Sequence, residues 1–232
     1  MSDPTDRRIV VLLSGRGSNY QALRRAEEAG WLGGEIAAVI SDRVQAAGLE
    51  LARADGIDTV CVARNRYPDR EAFEHALAVA IGGYRPRWIA LAGFMRVLSP
   101  GFVRDHAGRM VNIHPSLLPR HRGLDTHQRV LDAGEREHGA SVHFVTPELD
   151  GGPVISQVRM TVAPDDSPSA LAERLLPLEH RLLPATMALL LHTPVEARDE
   201  TISIQNQTLA RPLELGPDLS DDGRLLGDGG RD

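Results

Sequence analysis

The sequence predicts an α/β protein with a mainly parallel, Rossmann-like sheet that is flanked by helices and has an antiparallel edge. Short apolar runs alternate with helix-length segments along the first half of the chain. This alternation is typical of βαβ units. The runs are continuously apolar rather than alternating, and this indicates strands buried on both faces. Two later apolar segments, 141–146 and 153–162, are close together in the chain and favour antiparallel pairing.

The individual elements follow from apolar runs and helix signals taken in chain order. Apolar runs predict strands at 8–14, 35–42, 58–63, 88–93 and 109–113. Helix-like segments predict helices at 19–29, 44–54, 69–81 and 125–133. Ser167 and Pro168 supply a cap residue and a first-turn proline, so a long helix is expected to begin there. Pro177 lies inside that helix and should kink it.

The sequence favours one domain followed by a tail. We expect the domain over residues 1–200, with a phosphate-binding half at about 8–108 and a catalytic half at about 109–200. Residues 201–232 form the tail, which is rich in Gly, Asp and Pro after about Thr208 and has four glycines in its last ten residues. This composition predicts that the tail is partly disordered.

The composition is ordinary for a globular protein, yet it excludes several classes of function. The chain has 232 residues, a formal charge of −6 and one cysteine, Cys61, so neither an internal disulfide nor a cysteine-rich zinc site is expected. All 26 basic residues are arginine, which excludes Schiff-base lysine chemistry and a P-loop. The negative charge argues against a nucleic-acid partner. With no signal peptide and no membrane-length apolar run, a cytoplasmic protein is expected.

The segment SGRGSN, residues 14–19, joins the first predicted strand to the first predicted helix. Backbone N–H groups and the positive end of a helix commonly hold phosphate at this position. Dinucleotide-binding loops require a third glycine at position 20, where this chain has Tyr20. The alternative is a tight turn in which Ser18 is the helix N-cap and Gln21 completes a capping box. The two interpretations are compatible, and both stay open at this point.

The segment VNIHPSLLP, residues 111–119, places two polar side chains at a strand end. Asn112 and His114 are two residues apart, so in a strand they point to the same face, and Pro115 should end the strand. Asp150 lies in the glycine-rich turn ELDGGP. It is either a turn residue that bonds its own backbone or a partner of His114 at the carboxyl ends of the strands, where ligands bind. A carboxylate beside histidine favours imidazolium, which suits proton donation to an oxyanion.

The nine histidines do not form a recognisable metal site. No HExxH pattern and no close cluster of ligands occurs, so no metal is expected. His121 and His127 are interpreted as surface or supporting groups, and His143 as a hydrogen-bonded strand residue. No nucleophile motif such as GxSxG is present. The polar residues at the strand end therefore suit acyl transfer to a nucleophile that the substrate supplies.

Six motifs, in order, closely resemble those of the phosphoribosylglycinamide formyltransferase family. They are VVLLSGRGSN, LAGFMRVLSP, VNIHPSLLP, GLDTHQRVLDAG, SVHFVTPELDGGPVISQ and LEHRLLP, and the resemblance as a whole runs from about Arg8 to Leu191. The resemblance implies a single formyltransferase-type domain whose second half carries the folate site. It also implies a transferase of purine biosynthesis that moves the formyl group of 10-formyltetrahydrofolate, a co-substrate, to the amine of glycinamide ribonucleotide. Its expected partners are these small molecules, and the protein is expected to be a monomer or homodimer.

The resemblance further implies roles for individual residues. Asn112 and His114 would stabilise a tetrahedral oxyanion, with His114 as proton donor, while Asp150 would keep His114 protonated and assist proton transfer through water. The ribonucleotide ligands would be Gly17, Ser18, Asn19 and Glu179. The folate ligands would be Arg70, Met95, Arg96, Val97, Leu98 and Thr146, together with Asn112 and Asp150. Near Glu179 the chain departs from many relatives, because Leu176 replaces a polar or lysine side chain and Pro177 follows it.

Three alternatives use part of the same pattern. A formyltetrahydrofolate deformylase would share the scaffold, but it would make less use of SGRGSN and usually carries an extra N-terminal regulatory domain. A methionyl-tRNA formyltransferase would need a C-terminal tRNA-binding domain, for which little sequence follows the last predicted helix. A nucleotide-binding regulator or dehydrogenase could use Asp42 to hold a ribose, but Tyr20 breaks the glycine pattern, and the polar residues at the strand end would be unexplained.

Overall fold

The computed structural model describes residues 7–198 and 201–227. The chain forms two compact units, Met1–Val111 and Asn112–Asp232, which are described in turn. The predicted α/β class is confirmed, with a mainly parallel sheet and helices, and a small antiparallel sheet is also present. The described strands before residue 162 come from the predicted apolar runs, because residues buried on both faces of a sheet must be apolar at successive positions. The described strands after residue 194 lie outside those runs.

The first unit is a parallel arrangement of four strands in the order β4-β1-β2-β3. The strands are β1 (Arg8–Leu13), β2 (Glu35–Ser41), β3 (Thr59–Cys61) and β4 (Trp88–Leu91). The helices are α1 (Ser18–Glu28), α2 (Ala47–Ala54), α3 (Arg70–Tyr84) and α4 (Pro100–Asp105). Strands β1 and β4 are almost completely buried, as their continuous apolar sequences predict.

Two helices of the first unit begin at side-chain caps. The carboxylate of Asp69 accepts the Ala72 N–H at 2.8 Å and starts α3. The hydroxyl of Ser99 accepts the Phe102 N–H at 3.2 Å and starts α4, with Pro100 in the first turn. Helix α4 was not among the predicted elements, although Ser-Pro is the same start signal that predicts the long helix of the second unit.

The second unit contains an antiparallel pair at its centre. Its strands are β5 (Met110–His114, of which the last three residues belong here), β6 (Glu137–Phe144), β7 (Val154–Thr161), β8 (Val195–Arg198), β9 (Thr201–Ile204), β10 (Gln207–Thr208) and β11 (Leu213–Glu214). The sheet order is β11-β7-β6-β5, and a separate antiparallel sheet has the order β10-β9-β8. The predicted antiparallel pairing of β6 with β7 is confirmed, but β11 pairs in parallel with β7, so β7 is not the edge strand.

Two helices complete the second unit, α5 (Thr126–Asp132) and the long α6 (Pro168–His192). The Ser167 hydroxyl accepts the Ala170 N–H at 3.2 Å, which confirms the predicted cap of α6. Pro177 and Pro184 both lie inside α6, and the helix continues through them as one element. Its C-terminal half, which includes the buried Pro184, packs against β6 and β7, and that packing supports the helix where this proline removes a backbone donor. Pro177 is exposed in the N-terminal half.

The tail differs from its prediction in the part that the structure describes. Within the tail that was predicted to be partly disordered, residues 201–227 contribute β9, β10 and β11 and bury three leucines, Leu213, Leu215 and Leu219. Two hydrogen bonds from the Arg211 guanidinium to the Asp218 carboxylate, at 2.5 and 3.0 Å, close the intervening turn. The composition misled because a few spaced leucines supply the apolar area within a polar segment. Residues 228–232, the end of the predicted tail, lie outside the described residues.

The buried leucines of the tail are expected to contribute to the free energy of unfolding. Leu219→Ala removes a fully buried side chain and should lower the free energy of unfolding by about 2–4 kcal/mol. Leu226→Ala, in which the parent side chain is 41% exposed, is the matched control and should change it by less than about 1 kcal/mol. Urea unfolding of the full chain measures both. Equal stability of the two variants would mean that the tail does not pack on the unit.

Candidate active site

The strand end predicted to carry polar groups does so in the second unit. Strand β5 ends at His114, and Pro115 follows, so the ladder stops where the proline lacks a donor. The side chain of His114 is buried, whereas Asn112 is partly exposed. The Ser116 N–H donates to the His114 carbonyl at 2.9 Å and turns the chain away from the strand. Asn112 and His114 thus stand at the carboxyl end of a sheet strand.

His114 is held between two oxygen acceptors. Its Nε2 lies 3.0 Å from the backbone carbonyl of His121, and its Nδ1 lies 3.4 Å from Oδ2 of Asp150. The same Oδ2 accepts the Gly123 N–H at 2.9 Å. The predicted contact between Asp150 and His114 is therefore present. The ring is thus held with Nε2 toward a carbonyl oxygen and Nδ1 toward a carboxylate.

Asp150 occupies a tight turn whose geometry fixes its neighbours. Its φ of 47° is in the left-handed region, which aspartate tolerates better than most residues. A Cβ added at Gly152 would lie 1.9 Å from the Phe144 carbonyl oxygen, so only glycine fits where the turn rejoins β7. The left-handed backbone of Asp150 and the close-packed glycine two residues after it therefore direct the carboxylate toward His114.

His143 orients the amide of Asn112, a role that the sequence did not reveal. Burial lowers the pKa of His143 to about 4, so its ring is neutral near pH 7. Its Nδ1 donates to the Phe144 carbonyl at 2.9 Å, which leaves Nε2 as an acceptor. Nε2 lies 3.1 Å from Nδ2 of Asn112 and accepts one of the two amide protons. The amide oxygen of Asn112 is thereby turned away, and its second N–H can donate elsewhere.

The SGRGSN loop of the first unit is capped differently from the predicted capping box. Gly17 is the N-cap of α1, with φ 80°, and Ser18 is already the first helical residue. The reason is steric, because a Cβ at Gly17 would lie 2.5 Å from the Cα of Gly48. Tyr20, which replaces the third glycine of a dinucleotide loop, is fully buried, and its hydroxyl donates to Asp55 at 2.6 Å. Tyr20 is thus a structural residue.

Two of the residues predicted to bind folate in the first unit, Arg96 and Met95, are linked to a buried carboxylate. The side chain of Asp42 has no solvent exposure; it lies 2.6 Å from Nε of Arg96 and accepts the Ser14 hydroxyl at 2.5 Å. Ser14 Oγ in turn accepts the Met95 N–H at 2.9 Å. The loop after β4 is thereby tied to the ends of β1 and β2. Asp42, considered for a ribose, instead holds this loop in place.

The exposure of these loop residues separates side chains that face solvent from those in the core. Met95 and Val97 are each 57% exposed, whereas Leu98 is buried. The guanidinium of Arg70 donates to the Val97 carbonyl at 2.5 Å. Apolar patterning alone would assign Met95 to the core, and the structure shows that it is not there. Four of the predicted folate residues line one small pocket of the first unit, namely Arg70, Met95, Arg96 and Val97.

Comparison with known proteins gives a consistent family. A model described as "Formyl transferase" matches residues 7–187. The phosphoribosylglycinamide formyltransferase of Escherichia coli (strain K12) is 47% identical over 180 residues, which are 78% of this chain and 85% of that protein. The solved structure of phosphoribosylglycinamide formyltransferase from Coxiella burnetii, in complex with CHES, has 44% identity and a TM-score of 0.84, covering 88% of this chain and 95% of that one.

The chain belongs to the phosphoribosylglycinamide formyltransferase family. A further relative of that name, from Haemophilus influenzae, is 33% identical over 205 residues, or 88% of this chain and 97% of that protein. Among the residues that the structure describes, no group of three or more His, Cys, Asp or Glu side chains could hold a metal ion. Within the same ranges, no helix is both long and apolar enough to cross a bilayer.

The remaining predicted site residues of this formyltransferase lie on two other elements. Thr146, in the segment between β6 and β7, donates through its hydroxyl to the Glu148 carbonyl at 3.4 Å. Glu179 lies on α6 and is partly buried. Because α6 continues through Pro177, the helical position of Glu179 is kept despite the proline and Leu176. The ligand roles of Thr146 and Glu179 stay predictions.

A second pair of histidines supports the segment that follows β5. Nδ1 of His127 on α5 lies 2.9 Å from Nε2 of His138 on β6. Burial, followed by the neighbouring histidines, lowers the pKa of His138 to about 4. On the other side of this segment, His121 and Arg120 both contact the Glu135 carboxylate, at 2.7 and 2.8 Å. His121 and His127 are thus supporting groups, as the sequence suggested.

The lowered pKa of His138 predicts how stability depends on pH. In the unfolded chain this ring has an ordinary pKa of about 6.5, so between pH 6.5 and about 4 the unfolded chain binds a proton that the folded chain does not. The free energy of unfolding should therefore fall as the pH is lowered through that window, with up to about 1.4 kcal/mol per pH unit contributed by His138.

Urea unfolding of the wild type and of His138→Leu at about pH 7 and about pH 5 measures this contribution. The variant should show a smaller loss between the two pH values, whatever its absolute stability. His75→Leu, at an exposed position of α3, is the control and should keep the wild-type pH dependence. Identical losses in all three proteins would contradict the assignment.

Proposed function

We propose that this chain transfers the formyl group of 10-formyltetrahydrofolate to the amine of glycinamide ribonucleotide, giving formylglycinamide ribonucleotide and tetrahydrofolate in purine biosynthesis. Membership of the family supports the type of reaction. The position of His114 between Asp150 and the His121 carbonyl supports the proposed catalytic role of this histidine. A histidine so held, beside an oriented amide, matches a site for a developing oxyanion. The folate is a co-substrate, and no metal has a role in the proposal.

The reaction proceeds by direct attack. The ribonucleotide amine attacks the formyl carbon, a new C–N bond forms, and the carbonyl oxygen becomes a tetrahedral oxyanion. Asn112 and His114 stabilise this oxyanion, which agrees with the second N–H of Asn112 being left to donate. His114 then supplies the proton as the bond to N10 of the folate breaks. The proton released by the attacking amine leaves through water with the help of Asp150.

The substrates are bound by the residues that the resemblance implies. For the ribonucleotide these are Gly17, Ser18 and Asn19 at the start of α1, together with Glu179 on α6. Phosphate binding at this helix start is supported by the cap, because Gly17 has no side chain that could accept the first N–H groups of α1. For the folate, the resemblance implies Arg70, Met95, Arg96, Val97, Leu98 and Thr146, with Asn112 and Asp150. Support comes from the first unit, where four of them, Arg70, Met95, Arg96 and Val97, line one pocket.

The working context completes the proposal. The reaction takes place in the cytoplasm, its partners are the two small molecules, and the protein acts as a monomer or homodimer. A deformylase on the same scaffold would use water in place of the amine. The two functions therefore differ in one measurable respect, which is whether folate consumption requires the ribonucleotide.

The first test follows consumption of 10-formyltetrahydrofolate spectroscopically, with and without glycinamide ribonucleotide. We expect turnover that requires the ribonucleotide and falls by about 10²–10⁴-fold in His114→Ala and in Asp150→Asn, because each removes a proton-transfer or positioning group. His75→Ala and Asp132→Asn, both at exposed positions, are the controls and should keep wild-type activity. Equal consumption without the ribonucleotide would make the protein a deformylase.

The orientation of Asn112 by His143 gives a second test. His143→Phe keeps an aromatic ring in the buried position but cannot accept the amide proton of Asn112. We expect kcat to fall by about 10- to 100-fold, because a misoriented oxyanion donor stabilises the transition state less, while KM for both substrates stays within about twofold. Asn112→Ala should lose as much, and the double variant little more. A change in KM of more than about twofold would contradict this role. So would a fall in kcat that is fully additive with the fall in Asn112→Ala.

A further inference from the structure

A buried glutamine of β7, Gln157, donates hydrogen bonds to the segment that follows β5 and to a neighbouring strand. Its Nε2 lies 2.9 Å from the Leu118 carbonyl oxygen and 3.0 Å from the hydroxyl of Ser141 on β6. A glutamine amide has two N–H groups, so it can donate to both oxygens at once. The reaction proposed above gives this side chain no role, although the segment that it contacts reaches the candidate active site.

Ser141 attaches the same segment at a second point. Its hydroxyl donates to the Ser116 carbonyl at 2.7 Å and accepts the Leu118 N–H at 3.0 Å. The hydroxyl of Ser116 in turn donates to the Arg120 carbonyl at 2.7 Å. Because the single proton of Ser141 goes to Ser116, Gln157 must present its NH₂ group to this hydroxyl. The side chains of all three donors are buried, so their hydrogen bonds are shielded from competing water.

The segment fixed in this way carries one of the two acceptors that hold His114. The carbonyl of His121, which directly follows the fixed stretch, lies 3.0 Å from Nε2 of His114. A displacement of the stretch would move this carbonyl, and the ring would lose the contact opposite Asp150. Contacts therefore run without a break from Gln157 to His114, all of them within the second unit.

Gln157 is itself held on two sides. Its backbone carbonyl accepts the N–H of Leu215 in the tail at 2.9 Å, beside the pairing of β11 with β7. Its side-chain Oε1 accepts a hydrogen bond from the Arg159 guanidinium at 3.4 Å. A residue fixed at its backbone and at both ends of its amide is preorganised to hold the segment that it contacts.

We propose that Gln157 is a positioning residue for the formyl transfer. It holds the segment after β5 in place, and the His121 carbonyl then keeps the ring of His114 in the orientation that the transfer requires. The inference rests on the proposed function, because it assumes that His114 stabilises the oxyanion. Gln157 acts on the chemical step through His114 and has no part in substrate binding.

The test replaces Gln157 by methionine, which has a similar shape but no N–H group to donate. We expect kcat of the ribonucleotide-dependent reaction to fall by about 10- to 100-fold, because a small misplacement of a reacting group has an effect of this size. KM for both substrates should stay within about twofold. Ser141→Ala removes the second attachment and should lower kcat in the same way. The double variant should lose less than the product of the two single losses, because both residues belong to one network.

Ser156→Ala is the matched control. Ser156 precedes Gln157 on β7, is also buried, and forms a 2.6 Å hydrogen bond with the Thr186 hydroxyl on the opposite face of the strand. Its loss should lower stability but leave kcat within about twofold of wild type. A fall in kcat as large as that of Gln157→Met would mean that any buried hydrogen bond of β7 has this effect, and the proposal would be overturned.

The ring of His114 gives a readout that does not depend on turnover. In NMR spectra of the chain with isotope-labelled histidine, the ring nitrogen signals of His114 are identified by their absence in His114→Ala. These signals should shift in Gln157→Met and stay in place in Ser156→Ala. Unchanged signals in Gln157→Met, or an unchanged kcat, would overturn the proposal. If the wild type lacks ribonucleotide-dependent turnover, the proposed function alone fails, since the ring signals still test how His114 is held.

Discussion

The contact between Asp150 and His114 is the constraint around which the second unit is arranged. A carboxylate can meet a histidine at a strand end only if the turn that carries it returns toward β5, and the left-handed Asp150 and the close-packed Gly152 provide that return. The His121 carbonyl closes the other side of the ring. Because Nε2 faces the His121 carbonyl and Nδ1 faces the Asp150 carboxylate, a flip of the ring would lose both contacts, and its orientation is set before any substrate arrives.

In each unit, a buried polar side chain is stabilised by more than one hydrogen-bond partner. In the first unit, Asp42 is a carboxylate without solvent exposure, and its two oxygens meet a hydroxyl and a guanidinium. In the second unit, His143 remains neutral and distributes one donor and one acceptor between a carbonyl and Asn112. An unpaired group in either place would cost several kcal/mol, so each network also fixes the loop or amide that it touches.

The sequence was sufficient for the fold class and for most strands and helices, because these follow from local periodicity. It offered the contact of His114 with Asp150 only as one of two interpretations of the glycine-rich turn, and the structure contains that contact. What it did not reveal depends on contacts between distant residues. The cap at Gly17 is set by the approach of Gly48, the orientation of Asn112 by His143, and the order of the tail by Leu213 and Leu219 packing on the unit. No local pattern reports such pairs.

The approach of Gly17 to Gly48 links two positions that are far apart in sequence. The Cβ of any other residue at Gly17 would meet the backbone of Gly48, and a Cβ at Gly48 would lie 2.6 Å from the Leu13 side chain and 3.0 Å from the Cα of Gly17. Neither glycine can therefore be exchanged first and compensated later by the other. During evolution the two glycines should therefore be retained together, and sequence changes at the start of α1 should be restricted to the residues around them.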